Sequence, residues 1–206
     1  TIHFKGIYVL DPATGDHVSF SPIEIITFPD GTNDSLTHES ITSGPGRGIA
    51  LGSDGHILST NGRTLYKINY MTGEGMAMYV GDNMLTEAAA DDNGNIYLSY
   101  ILAAQLPVLV LDNDLNFVSN AIDTVGHINR TIVVTGDGET MLLGSTWNGM
   151  GFLQFDSPVP GLIQHTFVDT FGVYNDVPAC WEEITSAIGS HAYVSWLNDC
   201  VPDTTF

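Results

Sequence analysis

The stretch GIALGSDGHILSTNGRTLYKINYMTGEGMAMYV, Gly48 to Val80, decides how the chain is to be read. Short runs of strand-favouring residues alternate with turn residues, in the order strand, tight turn, strand, loop, strand, turn, strand. The same order returns in EAAADDNGNIYLSYILAAQLPVLVLDNDLNFVSNAI, Glu87 to Ile122, and in TIVVTGDGETMLLGSTWNGMGFLQFDSPVPGLIQHTFV, Thr131 to Val168. The first turns carry Asp54-Gly55, Asn93-Gly94 and Asp137-Gly138, pairs that suit tight hairpins because they tolerate positive φ. A second turn follows 18 to 20 residues later, at Thr72-Gly73, Asp112-Asn113 and Ser157-Pro158. The first-turn glycines are 39 and 44 residues apart. A four-stranded propeller blade occupies ~40–45 residues, and helical periodicity is nearly absent. The expected fold class is all-β: a β-propeller of four-stranded antiparallel blades at 48–80, 87–122 and 131–168, within one domain over 1–206.

The ends read as parts of a further unit. Gly6 to Phe20, GIYVLDPATGDHVSF, has the form of a third strand and second turn, its DPATG echoing the NYMTG of Asn69 to Gly73. Ile23 to Phe28, IEIITF, then reads as a fourth strand, so 1–28 supplies two outer strands. Near the other end, EITSAIGSHAYVSW, Glu183 to Trp196, reads as an inner hairpin turning at Gly189-Ser190, within 183–198. Open sheet edges invite aggregation, so the two ends are expected to form a composite blade, with Tyr193 to Trp196 paired to Gly6 to Leu10. The count is then sixteen strands, or four blades.

Composition narrows the function classes. The 206 residues include 24 Asp plus Glu and only 5 Lys plus Arg, for a formal charge of −19. So few cations cannot neutralise a phosphate backbone or an anionic lipid surface, so nucleic acid is not an expected partner. Apolar residues make up 43% of the chain, enough for a sizeable core. The most apolar run, Tyr100 to Leu111, is interrupted by Pro107 and falls short of the ~20 residues a membrane span needs. The chain begins at Thr1 with no basic or apolar leader, as expected after signal removal or in a piece of a longer chain. An acidic, Lys-poor chain with one candidate cysteine pair fits an extracellular, cell-surface or periplasmic setting. Two glycosylation sequons occur, at Asn33 and Asn129. Cys180 and Cys200 stand symmetrically about the hairpin turn near residue 190. Antiparallel partners face each other at disulfide distance, so a Cys180–Cys200 disulfide is expected.

The pattern GIALGSDGHIL…TLYKINYMTGEG, with its two repeats, resembles the blades of the NHL, YVTN and SMP-30 (gluconolactonase-like) propeller group. The resemblance covers most of the chain and implies the fold; its members include binding scaffolds, lactonases, lyases and surface proteins. Members of the SMP-30-like part hold a divalent metal near the loops that lead into the inner strands. Glu87, Asn129 and Glu183 are the matching residue types here, so the resemblance implies a calcium site on them. Calcium takes six to eight oxygens, so water and backbone would have to complete it. Arg47 and Arg130 fall in the same ring and would instead pair with the carboxylates.

Other motifs are weaker. The acidic turns Asp91 to Asn95, DDNGN, and Asp112 to Asn116, DNDLN, lack EF-hand spacing and read as turns. None of the seven histidines stands at HxH or HExxH spacing, so zinc is not indicated. His38 and His127 read as solvated loop residues before inner strands. No nucleophile elbow, Walker loop, dinucleotide fingerprint or haem motif occurs. Tyr66, Tyr97, Tyr100, Phe152, Tyr193 and Trp196 read as packing between blades. Trp147 is set apart by its Gly-rich loop, Ser145 to Gly151. With Asn148 it is a candidate to stack on a sugar or anchor a protein partner. Together these features favour a non-catalytic extracellular propeller that binds a protein or glycan, or assembles with copies of itself, with no cofactor required. The alternatives are a metal-dependent lactonase-type hydrolase or a fragment of one, and a structural subunit of a surface filament or larger propeller. The enzyme group usually has six or seven blades, against the four that fit here.

Overall fold

A computed structural model of the chain describes residues 6–19, 21–36, 49–81, 84–100, 108–122, 129–145, 152–156, 166–171, 181–188 and 191–196. Those residues form sixteen strands and no helix. Twelve strands make three four-stranded antiparallel sheets. Sheet one is β3 (Ile49–Leu51), β4 (Ile57–Asn61), β5 (Thr64–Ile68) and β6 (Gly75–Tyr79). Sheet two is β7 (Leu85–Ala90), β8 (Ile96–Tyr100), β9 (Val108–Leu111) and β10 (Phe117–Ile122). Sheet three is β11 (Asn129–Val134), β12 (Thr140–Ser145), β13 (Phe152–Asp156) and β14 (Thr166–Phe171). Each sheet is a meander in chain order, so every pairing spans a short loop with a small closure cost.

The turns explain why the strands stop where they do. In sheet two, Asp91 Oδ1 accepts the Asn93 and Asn95 N–H groups, each at 2.9 Å, and Gly94 takes φ 90°. The second turn repeats this device. Asp112 Oδ1 accepts the Asp114 and Asn116 N–H groups at 2.9 and 2.8 Å. There the left-handed position is held by Leu115, at φ 63°, whose side chain is buried between sheets. A non-glycine residue costs energy in that region, so burial of Leu115 holds it there.

The core lies between the sheets. Leu58, Leu65, Leu85, Ala88, Ile96, Leu98, Tyr100, Leu111 and Leu115 fill the seam between sheets one and two. A second seam joins sheets two and three through Ala89, Tyr97, Val108, Val110, Ala121, Ile132, Val134, Met141 and Leu143. Alternate residues of one strand serve opposite seams, as period-two side chains must: Ile96 enters the first and Tyr97 the second. The first strands adjoin in sequence, β3 beside β7, β7 beside β11, and β11 beside β15 (Trp181–Ile188).

The chain ends depart from the sequence expectation. Residues 6–10 do not pair with residues 193–196. Ile7 and Ile23 exchange both backbone hydrogen bonds, at 2.9 and 2.8 Å, and Val18 N–H donates to Val9 O at 3.1 Å. The N-terminal segment therefore folds on its own neighbour, whose pairing closes a much shorter loop. The IEIITF segment is paired on both sides: β1 (Ile25–Thr27) pairs with β2 (Asn33–Ser35), a strand the sequence reading did not anticipate. This N-terminal unit packs Ile7, Ile23, Ile26 and Leu36 against Tyr66 and Ile68 of sheet one. At the other end, β15 and β16 (His191–Trp196) form a two-stranded sheet, and β15 lies against β11 and β12. Its ladder corrects the premise of the disulfide. The Ile188–His191 pair and two register shifts together place Trp181 opposite Trp196, where symmetry about residue 190 would place it opposite Asp199. Cys180 and Cys200 themselves lie outside the described residues.

Candidate functional site

In every sheet the first and second turns lie at one end, because strands alternate in direction. The first residues of the first strands lie at the other end. The three residues singled out as metal ligands all fall on first strands of successive units: Glu87 on β7, Asn129 at the start of β11 and Glu183 on β15. Glu87 is opposite Ser99, Asn129 opposite Ser145, and Glu183 opposite Ser195.

The described carboxylate of the three is already committed. Glu87 Oε2 accepts the backbone N–H of Ile132 on β11 at 3.0 Å, so it ties sheet two to sheet three. One seam earlier, Thr60 Oγ1 donates to Thr86 O at 3.0 Å, tying sheet one to sheet two. Both ties sit on first or second strands, where the sheets come together. Among the described residues no group of three or more His, Cys, Asp or Glu side chains is placed to hold a metal ion. One of the two Glu87 oxygens is thus engaged by a backbone amide, and the side chains of the other two residues lie outside the described residues.

The turn end is equally occupied. Asp91 Oδ2 accepts from Asn95 Nδ2 at 2.7 Å and from the Tyr97 hydroxyl at 3.2 Å. Burial, followed by the Asp91 charge, raises the Tyr97 phenol well above its ordinary value. Asp112 Oδ2 accepts from Asn116 Nδ2 at 3.0 Å, and the Asn116 hydrogen bonds hold its carboxyl below the usual range. Neighbouring turns are stitched together: Asp92 N–H donates to Gly136 O at 2.8 Å, and Asn93 Nδ2 to Asp137 O at 3.2 Å. The Asp91 and Asp112 oxygens thus serve the architecture of their own turns.

The sequence reading missed the most concentrated polar cluster. Lys67 on β5 is buried, and its Nζ lies 2.6 Å from Asp54 Oδ2. It also donates to Asn113 O at 2.5 Å and to Asn113 Oδ1 at 2.8 Å. Asn113 Nδ2 in turn donates to Asp54 Oδ2 at 3.0 Å, and His56 N–H donates to Asp54 Oδ1 at 3.1 Å. Burial alone would raise the Asp54 carboxyl. The hydrogen bonds from Lys67, His56 and Asn113, with the Lys67 charge, outweigh it and hold the group well below the usual carboxylate range. This cluster latches the first turn of sheet one to the second turn of sheet two. It also removes one of the five cations of the chain from the surface.

Tyr66, Tyr97 and Tyr100 are buried between sheets. The Tyr66 hydroxyl donates to Asp34 Oδ2 at 2.7 Å, linking sheet one to β2. Burial and then this contact raise its phenol. Asn33 is exposed on β2, and its Oδ1 accepts from Thr27 Oγ1 at 2.8 Å. Trp147, Asn148, Arg47, His38 and His127 lie outside the described residues. The side chains of Asn129, Arg130 and Glu183 do so too.

No family model matches the chain, and no curated protein matches it. Its fold is similar to that of U3-55K, with a TM-score of 0.51 and 9% identity over 69% of this chain and 42% of that one. It also matches hydrazine synthase of Kuenenia stuttgartiensis, with a TM-score of 0.47 and 14% identity over 75% of this chain and 52% of that one. The chain spans less than two thirds of the length of either.

Proposed function

We propose that the chain is a run of β-propeller blades acting as a non-catalytic extracellular scaffold that binds a protein or glycan, or assembles with further copies. The observation that carries this reading is the use of Glu87 as a joint between units: one oxygen of this inner-strand carboxylate holds the backbone of the neighbouring sheet. The stacking of first strand on first strand, β3 to β7 to β11 to β15, supports the blade reading, since propeller blades meet at their inner strands. Trp147 and Asn148, in the loop between β12 and β13, are the proposed contact for a glycan or protein partner. The acidic surface, with Lys67 withdrawn from it, argues against nucleic acid.

A calcium titration followed by melting temperature tests the reading, because an ion that binds only the native state raises stability by mass action. A scaffold held together by Glu87 shows no calcium-dependent rise. A large rise that disappears in Glu87→Gln would count against this reading and favour the metal-dependent hydrolase.

A further inference from the structure

The three sheets offer an internal comparison. On each first strand, two residues point toward the preceding unit. In sheet three these are Ile132 and Val134, paired across the ladder with Leu143 and Met141 and buried at 3% and 2% exposure. In sheet two they are Ala88 and Ala90, paired with Leu98 and Ile96 and packed in the seam with sheet one. In sheet one the same positions are Ile49 and Leu51, paired with Ser59 and Ile57. They are 63% and 66% exposed, although they are larger and more apolar than the alanines of sheet two. Ala50 between them packs normally against sheet two.

The N-terminal unit explains which part of this face is bare. It covers Tyr66 and Ile68 on β5 and touches Ile57 on β4, but no residue of β3 belongs to that seam. Among the described residues it is an outer half-unit without an inner half. The β15–β16 hairpin is the reverse, an inner pair with no outer strands in its sheet among the described residues. It also stands to β11 as β11 stands to β7 and β7 to β3. The hairpin sits at the far end of the stack, beyond sheets two and three, so the chain's own copy is not the one on β3.

We infer that Ile49 and Leu51 form a seat for the β15–β16 hairpin of a second copy of this chain, joining copies head to tail. The inference deepens the scaffold reading and rests on it by naming the assembly partner. The contact would continue the seam that already joins each unit to the next. Such a contact is heterologous: it closes a ring if the rotation permits and otherwise grows a filament. With a formal charge of −19 per chain, association is opposed by repulsion and strengthens as salt screens it.

The test is sedimentation of the full chain across concentration at low and high salt, beside the double variant Ile49→Asp, Leu51→Asp. The wild type is expected to reach at least twice the monomer mass, more readily in high salt. The variant is expected to stay monomeric, with an unchanged melting temperature at high dilution, because both side chains are largely exposed before association. Labelled variant should still bind the wild type, since its hairpin is intact, and should shorten the assemblies. A wild type that stays monomeric throughout overturns the inference, as does a variant that assembles normally. Failure of labelled variant to bind wild type also overturns it, and points to β3 pairing with β3. A monomer that shows no calcium-dependent stabilisation would remove this inference and leave the scaffold reading standing.

Discussion

Replacing Lys67 with Met keeps the apolar stem of the side chain and removes its charge, so it isolates what the ammonium does. The magnitude follows from burial. An exposed ion pair contributes ~0–1 kcal/mol, whereas removing one partner of a fully buried pair costs ~3–5 kcal/mol. The Lys67 side chain is 4% exposed and that of Asp54 28%. The orphaned carboxylate would therefore be partly hydrated, and would keep its bonds from His56 N–H and Asn113 Nδ2. A loss of about 2 kcal/mol lies between the two limits. Urea denaturation reads it directly: at a slope of ~2 kcal/mol/M, the midpoint falls by ~1 M. The pH dependence has a definite sign. Asp54 is depressed in the folded chain, so its contribution is present above the unfolded carboxyl value of ~3.9 and fades as pH falls below it. The gap between wild type and Lys67→Met should be full at neutral pH and narrow steadily below about pH 4. An unchanged midpoint would refute the latch. A gap that stays constant into acid would show that the bonds to the neutral Asn113 acceptors, and not the ion pair, account for the loss.

Two further substitutions probe the seams. Glu87→Ala leaves the Ile132 N–H without its acceptor and should cost ~1–2 kcal/mol, while Glu87→Gln keeps an acceptor oxygen and should cost under ~1 kcal/mol; equal losses in thermal melts would contradict the amide contact. Gly75→Ala would set a methyl 2.5 Å from Lys67 O on β5 and 2.9 Å from Ile26 Cγ2 on β1, which should cost ~1–3 kcal/mol by forcing β6 away from both. A neutral result in denaturant titration would show that β6 does not approach them so closely.

The sheets were legible because their punctuation is local. Asp-Gly and Asn-Gly turns fix where hairpins fold, and their spacing separates one unit from the next. What depended on distant partners was not legible. Asn33-Asp34-Ser35 is composed of strand-poor residues, yet it forms β2 because Ile25–Thr27 offers it a ladder. Lys67, in the run TLYKI, reads as the solvent side of a strand. In a sheet covered on both faces there is no solvent side, and four of those five positions are buried. A usable signal was present: a chain this poor in cations sets one between Tyr66 and Ile68 in mid-strand. Glu87 could be recognised as an inner-strand carboxylate, but its acceptor role needs Ile132 of another sheet, 45 residues on. The closing pairing failed for the opposite reason, since residues 6–10 found a partner only a dozen or so residues away.

The three apolar clusters share no residue, and this has a consequence for how the chain comes apart. Among the described residues each cluster couples a unit to its neighbour, so stability is treated as a sum of local terms and joints, as in repeat proteins. Unfolding then proceeds like a zipper from whichever end is weaker. A lesion in the middle joint divides the cooperative unit in two, and each half keeps the cluster that never depended on the other.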